Sequence, residues 1–211
     1  MIYLKGNKTN LSAIVFDLGN VLVDWDPERF MFDLGIKPEF IPRLAEITDR
    51  RPEWAEYDKG TYSRDDIAEM AIRDEPSLRR EIKHYLKHRA ECFSALTPNV
   101  ELMYRAKEAG LKTYLLSNCS QADYDYFYDH FIFLHDMDGT VISGACRLGK
   151  PDPAIFELLL KTYPEIEPAH TLFVDDVAAN CEAGAKAGLL TLNLPPQGVI
   201  DEYLEVTEEN K

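Results

Sequence analysis

The sequence predicts an α/β fold: a Rossmann-like, doubly wound parallel sheet with an inserted α-helical cap domain. Three observations support this prediction. Short apolar runs alternate with helical patterns along most of the chain, the order that builds parallel sheets with helical crossovers. The apolar runs contain no polar alternation, which indicates strands buried on both faces. One long stretch after the first run has several helical patterns and no credible strand.

Five short apolar runs, each bounded by polar or glycine residues, are the predicted strands. They are Ala13–Phe16, Thr113–Leu116, Val141–Ile142, Thr171–Val174 and Leu189–Leu192. Helix start and stop signals lie between the later runs. They predict Glu101–Ala109 ending at Gly110, Pro153–Lys161 after Asp152 as N-cap, and Ala178–Ala187 ending at Gly188.

The helical insert is predicted between the first strand and the rest of the sheet. Asp26-Pro27-Glu28 begins one helix, and Ser63 with Asp66 forms a capping box for a second. A third helix has an apolar side at helical spacing. That side contains Leu78, Ile82, Tyr85, Leu86 and Phe93. The predicted division is a core of residues 1–24 and 96–211 and a cap of residues 25–95.

Two groups of cap residues could belong to a functional site, but each also has a purely structural interpretation. The aromatic residues of the insert would form either a substrate wall or the core of the cap, and the sequence does not separate these alternatives. They are Trp25, Trp54, Tyr57 and Tyr62. His84 and His88 have the spacing of a metal pair, but basic residues including Arg89 surround them. A solvated helix face is therefore predicted there.

Composition excludes several function classes. The chain has 211 residues, with 23 Lys plus Arg against 37 Asp plus Glu and a formal net charge of −14. Nucleic acid and anionic membrane surfaces need a positive field at contact, so neither is an expected partner. No signal-like segment or membrane span is evident, and a cytoplasmic location is expected. The four cysteines are widely spaced, which predicts reduced thiols rather than a zinc site. No pattern indicates the oligomeric state.

Polar side chains follow the predicted strands at the edge where a doubly wound sheet binds ligands. Asp17 follows the first strand, Ser117 and Asn118 follow the second, and Asp175-Asp176 follow the fourth, while Lys150 precedes a helix. Carboxylate oxygens are suited to Mg²⁺, and a lysine with a hydroxyl is suited to a phosphoryl group. The predicted ligands are therefore magnesium and a small-molecule phosphate ester.

These residues, in this order, resemble the haloacid dehalogenase superfamily, and most closely its phosphatases with a helical cap after the first strand. The resemblance covers nearly the whole chain and rests on four motifs. They are Phe16-Asp17-Leu18-Gly19-Asn20-Val21-Leu22, Leu115-Leu116-Ser117-Asn118, Lys150-Pro151-Asp152-Pro153, and Phe173-Val174-Asp175-Asp176 with Asn180. A single such tetrapeptide is weak evidence, whereas four in sequence at strand ends are strong.

The resemblance implies roles for the groups around the phosphate. Asp17 would be the nucleophile that attacks phosphorus and forms an aspartyl-phosphate, which water then hydrolyses. Ser117 and the backbone amide of Asn118 would hold phosphate oxygens. Lys150 would bind both the phosphate and the carboxylate of Asp17. Asn20 is included among the substrate-binding residues.

The resemblance also implies a magnesium site. Asp176 would be a direct ligand together with Asp17 and the backbone carbonyl of Gly19. Asp175 and Asn180 would hold the metal-bound waters. The ion would let an anionic substrate approach an acidic protein.

The chain departs from the family pattern at Gly19. Most phosphatases of the superfamily have a second aspartate there, which protonates the leaving group and later activates water. Its loss is expected to cost roughly a hundredfold to ten-thousandfold in rate. A branch with the same Asp-Leu-Gly-Asn opening, which includes bacterial α-D-glucose-1-phosphate phosphatases, works with this variant. A water, Asp24 or Asp26 would replace the acid, or the preferred leaving groups would need little protonation.

Two other functions compete with the phosphatase. The dehalogenases of the superfamily also lack the second aspartate, and Asp17 would displace halide from a 2-haloacid. Their fourth motif lacks the acidic pair, so Asp175-Asp176 argues against this function. The other alternative is a catalytically weak module that binds a phosphorylated ligand. A second pattern, Asp136-Met137-Asp138-Gly139-Thr140-Val141, is excluded as the first motif because only 14 residues separate Asp136 from Lys150, too few for a crossover. Asp138-Gly139 is predicted to be a turn before the third strand.

Overall fold

A five-stranded parallel sheet forms the centre of the protein in the computed structural model, which describes residues 2–7 and 9–206. The strands in chain order are β1 (Ile2–Leu4), β2 (Ala13–Phe16), β3 (Lys112–Ser117), β4 (Gly139–Ile142), β5 (Thr171–Asp175), β6 (Leu190–Asn193) and β7 (Leu204–Val206). The sheet has the order β4-β3-β2-β5-β6. The predicted α/β class and all five predicted strands are confirmed, with ends that differ by at most two residues.

Strands β1 and β7 form a separate antiparallel pair that the sequence analysis did not predict. Each has three residues, too short for a period-2 pattern to be read from sequence. Their pairing joins the two ends of the described chain, which no local signal specifies.

Helices cover both faces of the parallel sheet. Those of the core are α6 (Thr97–Glu108), α7 (Gln121–His130), α8 (Ser143–Cys146), α9 (Pro153–Thr162) and α10 (Ala178–Lys186). Helices α6 and α7 pack with one face of the strands, and α9 and α10 pack with the other. The strands are therefore buried on both sides, which explains their unalternating apolar sequences.

The helices between β2 and α6 form a hydrophobic cluster of their own. They are α1 (Pro27–Asp33), α2 (Ile41–Ile47), α3 (Trp54–Asp58), α4 (Arg64–Asp74) and α5 (Arg79–His88). Every fully buried member of this cluster comes from residues 30–86. This separate core supports the division into a cap of residues 25–95 and a core of residues 1–24 and 96–211, which stays a prediction.

Local capping signals in the cap were predicted correctly, and one helix was predicted too long. The Asp26 side chain accepts a hydrogen bond from the Arg29 N–H at the start of α1, and Ser63 with Asp66 forms the capping box of α4. Helix α5 ends at His88, however, and Phe93 follows a separate 3₁₀ turn. Phe93 therefore does not extend the apolar side of α5. It packs between the cap cluster and the core cluster.

The Asp-x-Asp pattern at 136–138 lies far from the strand ends that carry the predicted site. Asp138 directly precedes β4, and its carboxylate pairs with Lys107 and Lys112 at 2.8 Å each. Burial opposes its charge, but the two lysines hold the pKa of Asp138 well below its usual value. Gly139, predicted to form a turn with Asp138, is instead the first residue of β4, and only Asp138 lies in a bend before the strand.

Two further expectations concern the cysteines and the membrane. All four cysteines are free, and two of them are buried. Among the described residues, no helix combines the length and the apolar character needed to span a bilayer.

The side chain of Asn99, near the start of α6, fixes the segment that follows β2. Its amide donates to the carbonyl oxygens of Val21 at 2.8 Å and Gly198 at 3.0 Å, and its oxygen accepts from the Ile200 N–H at 2.9 Å. Asn99 is only 1% exposed. A buried amide with all these partners joins the turn after β2 to two other segments.

We predict that Asn99→Asp destabilises the protein by about 1–3 kcal/mol at neutral pH, because a carboxylate would face two carbonyl oxygens. The introduced carboxyl would have a raised pKa in the folded state, so the destabilisation should grow as the pH rises from 4 to 8. Urea unfolding at several pH values measures both effects. Asn10→Asp is the control, since Asn10 is exposed and its side chain has no hydrogen bond to the described residues. Equal losses in the two variants would contradict the prediction.

Candidate active site

The carboxyl ends of three adjacent strands bring the predicted site residues together. In the parallel register Phe16 lies opposite Leu115 of β3 and Val174 of β5. Asp17 is therefore level with the ends of both neighbouring strands, and its N–H donates to the Val174 carbonyl at 2.9 Å. The sheet order thus brings together side chains that are up to 159 residues apart in the sequence, from Asp17 to Asp176.

Lys150 is the cation of this edge, and its ammonium group contacts all three strand ends. Its Nζ lies 2.8 Å from Oδ1 of Asp17 and 2.7 Å from Oδ2 of Asp175, and it donates to the Leu116 carbonyl at 2.7 Å. Lys150 is 6% exposed. An ammonium group has three protons, so these three acceptors match its full donor capacity.

The backbone of Lys150 is held by the side chain of Asn118. The Lys150 N–H donates to Asn118 Oδ1 at 2.8 Å, and Asn118 Nδ2 donates to the Lys150 carbonyl at 2.9 Å. This pair of bonds fixes the loop before α9 against the end of β3. Ser117, the last residue of β3, is buried and lines the same cavity as Asp17 and Asn118.

The acidic pair after β5 has two different environments. Asp175 is fully buried and accepts hydrogen bonds from Asn180 Nδ2 at 3.0 and 3.1 Å and from the Val177 N–H at 2.8 Å, in addition to its contact with Lys150. Asp176 is only partly buried and lines the cavity, and Asn20 Nδ2 donates to it at 2.8 Å. Asp175 therefore holds neighbouring groups, while Asp176 lines the cavity.

Three carboxylates at this edge lie close enough to share one cation. Asp17, Asp175 and Asp176 each offer an oxygen, and these oxygens are within 4.8 Å of one another. Three negative charges meet one positive charge from Lys150. The all-oxygen donor set and this excess of negative charge fit a hard divalent cation such as Mg²⁺.

The pKa shifts reflect the same crowding. Burial raises the pKa of Asp17 to about 6; Asp175 adds to this rise and Lys150 opposes it. Burial and the neighbouring Asp175 raise the pKa of Asp176, against the hydrogen bond from Asn20. Burial opposes the charge on Lys150, but Asp17 and Asp175 outweigh it and raise the pKa of Lys150. A cation bound to these carboxylates would favour their ionised forms.

Neither carboxylate suggested as a replacement for the acid missing at Gly19 lines the cavity. Asp24 accepts hydrogen bonds from the Ser94 N–H and hydroxyl and pairs with Arg29. Asp26 is exposed and caps α1. Gly19 itself lines the cavity, and a Cβ added there would meet nothing closer than Trp25 at 3.8 Å. Lack of space for a Cβ atom therefore does not explain why this position is a glycine.

A cavity of about 360 Å³ lies between the strand ends and the cap. This volume is in the range of small-molecule sites. Its apolar wall includes Trp25 and Trp54 from the predicted aromatic group, together with Phe93 and Phe127. Tyr57 is buried and hydrogen-bonded to Asp123, and Tyr62 packs on the cap cluster. The aromatic group is therefore divided between cavity wall and packing.

Arg89, predicted on a solvated helix face, is instead buried in the wall of this cavity. It is 3% exposed, and its Nη1 lies 2.7 Å from Oδ2 of Asp123 in α7. Its Cζ lies 4.8 and 4.7 Å from the ring centroids of Trp25 and Trp54. The prediction was wrong because α5 ends at His88. Arg89 is the first residue of the following 3₁₀ turn and therefore does not lie on the exposed face of α5.

Asp123 is the core side of a buried network with the cap. Arg64 Nη2 donates to its Oδ1 and the Tyr57 hydroxyl donates to its Oδ2, both at 2.8 Å. Burial would raise the pKa of Asp123, but Arg89 and Arg64 outweigh this effect and hold it below the usual value. Three cap residues thus bind one core carboxylate, which positions the cap over the strand ends.

Two more acids of the cap line the cavity. Asp49 accepts a hydrogen bond from the Thr48 hydroxyl at 2.9 Å, and its Oδ1 lies 3.7 Å from Arg89 Nε. Asp58 ends α3, and burial raises its pKa to about 8. Sequence reasoning missed Asp49, Asp58 and Asp123. They follow no strand and belong to no motif, so the sequence carries no local signal for them.

Comparisons with known proteins agree with this fold. Sesquiterpene phosphatase astK of Aspergillus oryzae is 24% identical over 186 residues, which are 88% of this chain and 91% of its own length. The crystal structure of HAD family enzyme bt-2542 from Bacteroides thetaiotaomicron has a TM-score of 0.70 at 20% identity and covers 89% of this chain and 95% of its own. The wild-type form of that enzyme was also crystallised with magnesium and inorganic phosphate.

A third relative is the L-2-haloacid dehalogenase from Xanthobacter autotrophicus with chloropropionic acid covalently bound. Its TM-score is 0.63 at 15% identity, with 87% of this chain and 77% of that chain covered. The profile of the haloacid dehalogenase-like hydrolases matches residues 11–188, which include every site residue described above. The protein therefore belongs to the haloacid dehalogenase-like hydrolase family.

Proposed function

We propose that this hydrolase is a magnesium-dependent phosphatase that acts on a small phosphorylated metabolite, such as a sugar phosphate, through an aspartyl-phosphate intermediate. The observation that carries the proposal is the arrangement of Asp17. One of its oxygens pairs with Lys150, and its carboxylate lies at the cavity within 4.8 Å of two more carboxylates. A nucleophile, a fixed cation and a cation-binding oxygen set thus meet at one point.

In the first step an oxygen of Asp17 would bond to phosphorus while the bond from phosphorus to the ester oxygen breaks. Lys150 orients the nucleophile through its contact with Oδ1 and stabilises the negative charge that gathers on the phosphoryl oxygens. Ser117 and the N–H of Asn118, which line the cavity beside Asp17, would donate to those oxygens. In the second step a water oxygen would bond to phosphorus and release the Asp17 carboxylate.

Magnesium would be held by Asp17, Asp176 and the Gly19 carbonyl. When bound, it would neutralise charge on the phosphoryl group and on the carboxylates. Asp175 would act mainly through Lys150 and Asn180, whose nitrogen atoms already occupy its oxygens. Asn20 would orient Asp176 through their 2.8 Å hydrogen bond.

The cavity supports a small, polar leaving group. The rings of Trp25 and Trp54 offer apolar faces, while Arg89 and Asp49 offer a donor and an acceptor to substrate hydroxyls. One relative is named a sesquiterpene phosphatase and another was crystallised with magnesium and inorganic phosphate, and both names support a phosphoryl group as the reacting group. The narrower resemblance to α-D-glucose-1-phosphate phosphatases, and a cytoplasmic location, stay predictions.

The first test is phosphate release from p-nitrophenyl phosphate, a panel of sugar phosphates and a prenyl phosphate, with and without magnesium. We expect magnesium-dependent release, with sugar phosphates preferred to the prenyl ester because polar groups line the cavity. Chloride release from 2-chloropropionate is measured in parallel. Dehalogenation without phosphate release, or tight binding of phosphate esters without turnover, would contradict the proposal in favour of one of the two competing functions.

Asp17→Asn should abolish phosphate release, by at least about a thousandfold, because an amide oxygen is a poor nucleophile. The fold should persist, since the substituted side chain keeps its size and an acceptor for Lys150. Activity with p-nitrophenyl phosphate and the far-UV circular dichroism spectrum test this pair of outcomes. Asp65→Asn, an exposed position in the first turn of α4, is the control. Retained activity would remove Asp17 from the mechanism.

Asp176→Ala should raise the magnesium concentration needed for half-maximal activity by about tenfold or more, because a direct carboxylate ligand is removed. Magnesium titrations of phosphate release measure this change. Glu182→Ala removes an exposed carboxylate from α10, near Asp176 in sequence, and should leave the titration unchanged. The assignment of Asp176 as a ligand would be wrong if both variants gave the wild-type curve.

A further inference from the structure

Asp58 is an acid of the cap whose backbone is attached to the catalytic edge of the core. The Ser143 hydroxyl donates to the Asp58 carbonyl at 2.7 Å, and the Cys119 N–H donates to the same hydroxyl oxygen at 2.8 Å. Cys119 is two residues beyond Ser117. The end of α3 is therefore fixed to the loop that follows β3, and Asp58 lines the same cavity as Asp17.

Asp58 differs from the other acids of the cavity in having an uncommitted carboxyl group. Asp123 is bound by two arginines and a tyrosine, Asp49 by Thr48 and Arg89, and Asp17 by Lys150. The Asp58 carboxyl has no hydrogen bond or ion pair to residues 2–7 or 9–206, although its backbone is anchored. It is thus available to a ligand in the cavity.

The surroundings of Asp58 favour its protonated form. Burial is the largest cause of its raised pKa, and the carboxylates of Asp123, Asp49 and Asp17 add to the rise. Arg89 opposes them without outweighing the burial. Lys59, the next residue, pairs with Glu56, and Lys150 pairs with Asp17 and Asp175. At neutral pH the cavity therefore contains a protonated carboxyl group in addition to the nucleophile.

We propose that Asp58 supplies the general acid and general base that the glycine at position 19 leaves absent. This inference rests on the proposed phosphatase function. It assigns to the cap a proton donor that most phosphatases of the superfamily have two residues after the nucleophile. Among the neighbouring acids, Asp24 and Asp26 are outside the cavity, and Asp123 is held ionised. Asp49 lines the cavity, but its two oxygens face the Thr48 hydroxyl and the Arg89 guanidinium.

The proton balance of both steps follows from this assignment. As the bond from phosphorus to the ester oxygen breaks, its electron pair stays on that oxygen and the Asp58 proton moves to it, so that a neutral alcohol leaves. The Asp58 carboxylate then takes a proton from the water whose oxygen bonds to phosphorus. Asp17 is released as a carboxylate, and Asp58 is protonated again for the next cycle.

The test compares leaving groups in wild type and Asp58→Asn, with kcat/KM as the readout because it reports the step that expels the alcohol. Esters of poor leaving groups, such as alkyl and sugar phosphates, should lose about a hundredfold or more in the variant. p-Nitrophenyl phosphate, whose leaving group needs no proton, should lose less than about threefold. Because the base is also lost, p-nitrophenol should appear in a burst. Asp65→Asn and Asp26→Asn should match wild type.

Two kinetic outcomes would overturn the inference in distinguishable ways. If wild type releases phosphate and Asp58→Asn loses the same factor on every ester, or nothing, Asp58 is not the acid and the phosphatase proposal stands. If wild type releases phosphate from no ester, the phosphatase proposal fails, and the role of Asp58 fails with it.

A second measurement needs no turnover. A carboxyl whose folded pKa is about 8 instead of 3.8 contributes stability at low pH that is lost as the pH rises. The melting temperature of Asp58→Asn relative to wild type should therefore increase between pH 4 and pH 8 and then level off. A constant difference across this range would show that Asp58 is ionised in the folded protein and would overturn the inference.

Discussion

The buried ammonium group of Lys150 is the contact on which the site depends. It binds oxygens at the ends of β3, β2 and β5 at once, so it can be desolvated only if those strands are adjacent and in register. Removing a charge from water is costly unless every polar atom finds a partner. The same three contacts that satisfy Lys150 hold Asp17 in one orientation. Stability of the sheet edge and preorganisation of the nucleophile therefore have a common cause.

A second buried charge network fixes the cap. Asp123 of the core binds Arg89, Arg64 and Tyr57 of the cap. Separating cap from core would leave these groups unpaired or exposed, and an unpaired buried charge is strongly destabilising. The network and the cap–core contact at Ser143 together set the position of the cavity between the two units. The core thus contributes the groups that would act on phosphorus, and the cap contributes most groups that would meet the leaving group.

This division between core and cap offers an explanation for the absence of an acid at position 19. The reacting groups of the core lie at strand ends or, in the case of Lys150, in the loop before α9. Asp58 is instead on a cap helix and reaches the cavity only when the cap is in place. In our proposal the proton donor therefore arrives with the cap, and proton transfer is linked to cap position in a way that an acid beside Asp17 would not require. A glycine at position 19 by itself predicts a preference for leaving groups that need little protonation. If Asp58 is the proton donor, that preference is expected only when Asp58 is removed.

The sequence by itself determined the sheet, its five strands and the predicted site of the core. Buried strands need continuous apolar runs, and Asp17, Ser117, Lys150 and Asp176 stand directly after strands or before a helix, so local signals locate them. The tertiary structure alone decided the other charged groups of the cavity. Arg89, Asp123 and Asp58 are in helical segments and Asp49 is in the turn after α2, where charged residues usually indicate a solvated surface. Only the packing of cap on core, which no local pattern encodes, places them around the cavity and gives Asp58 its environment.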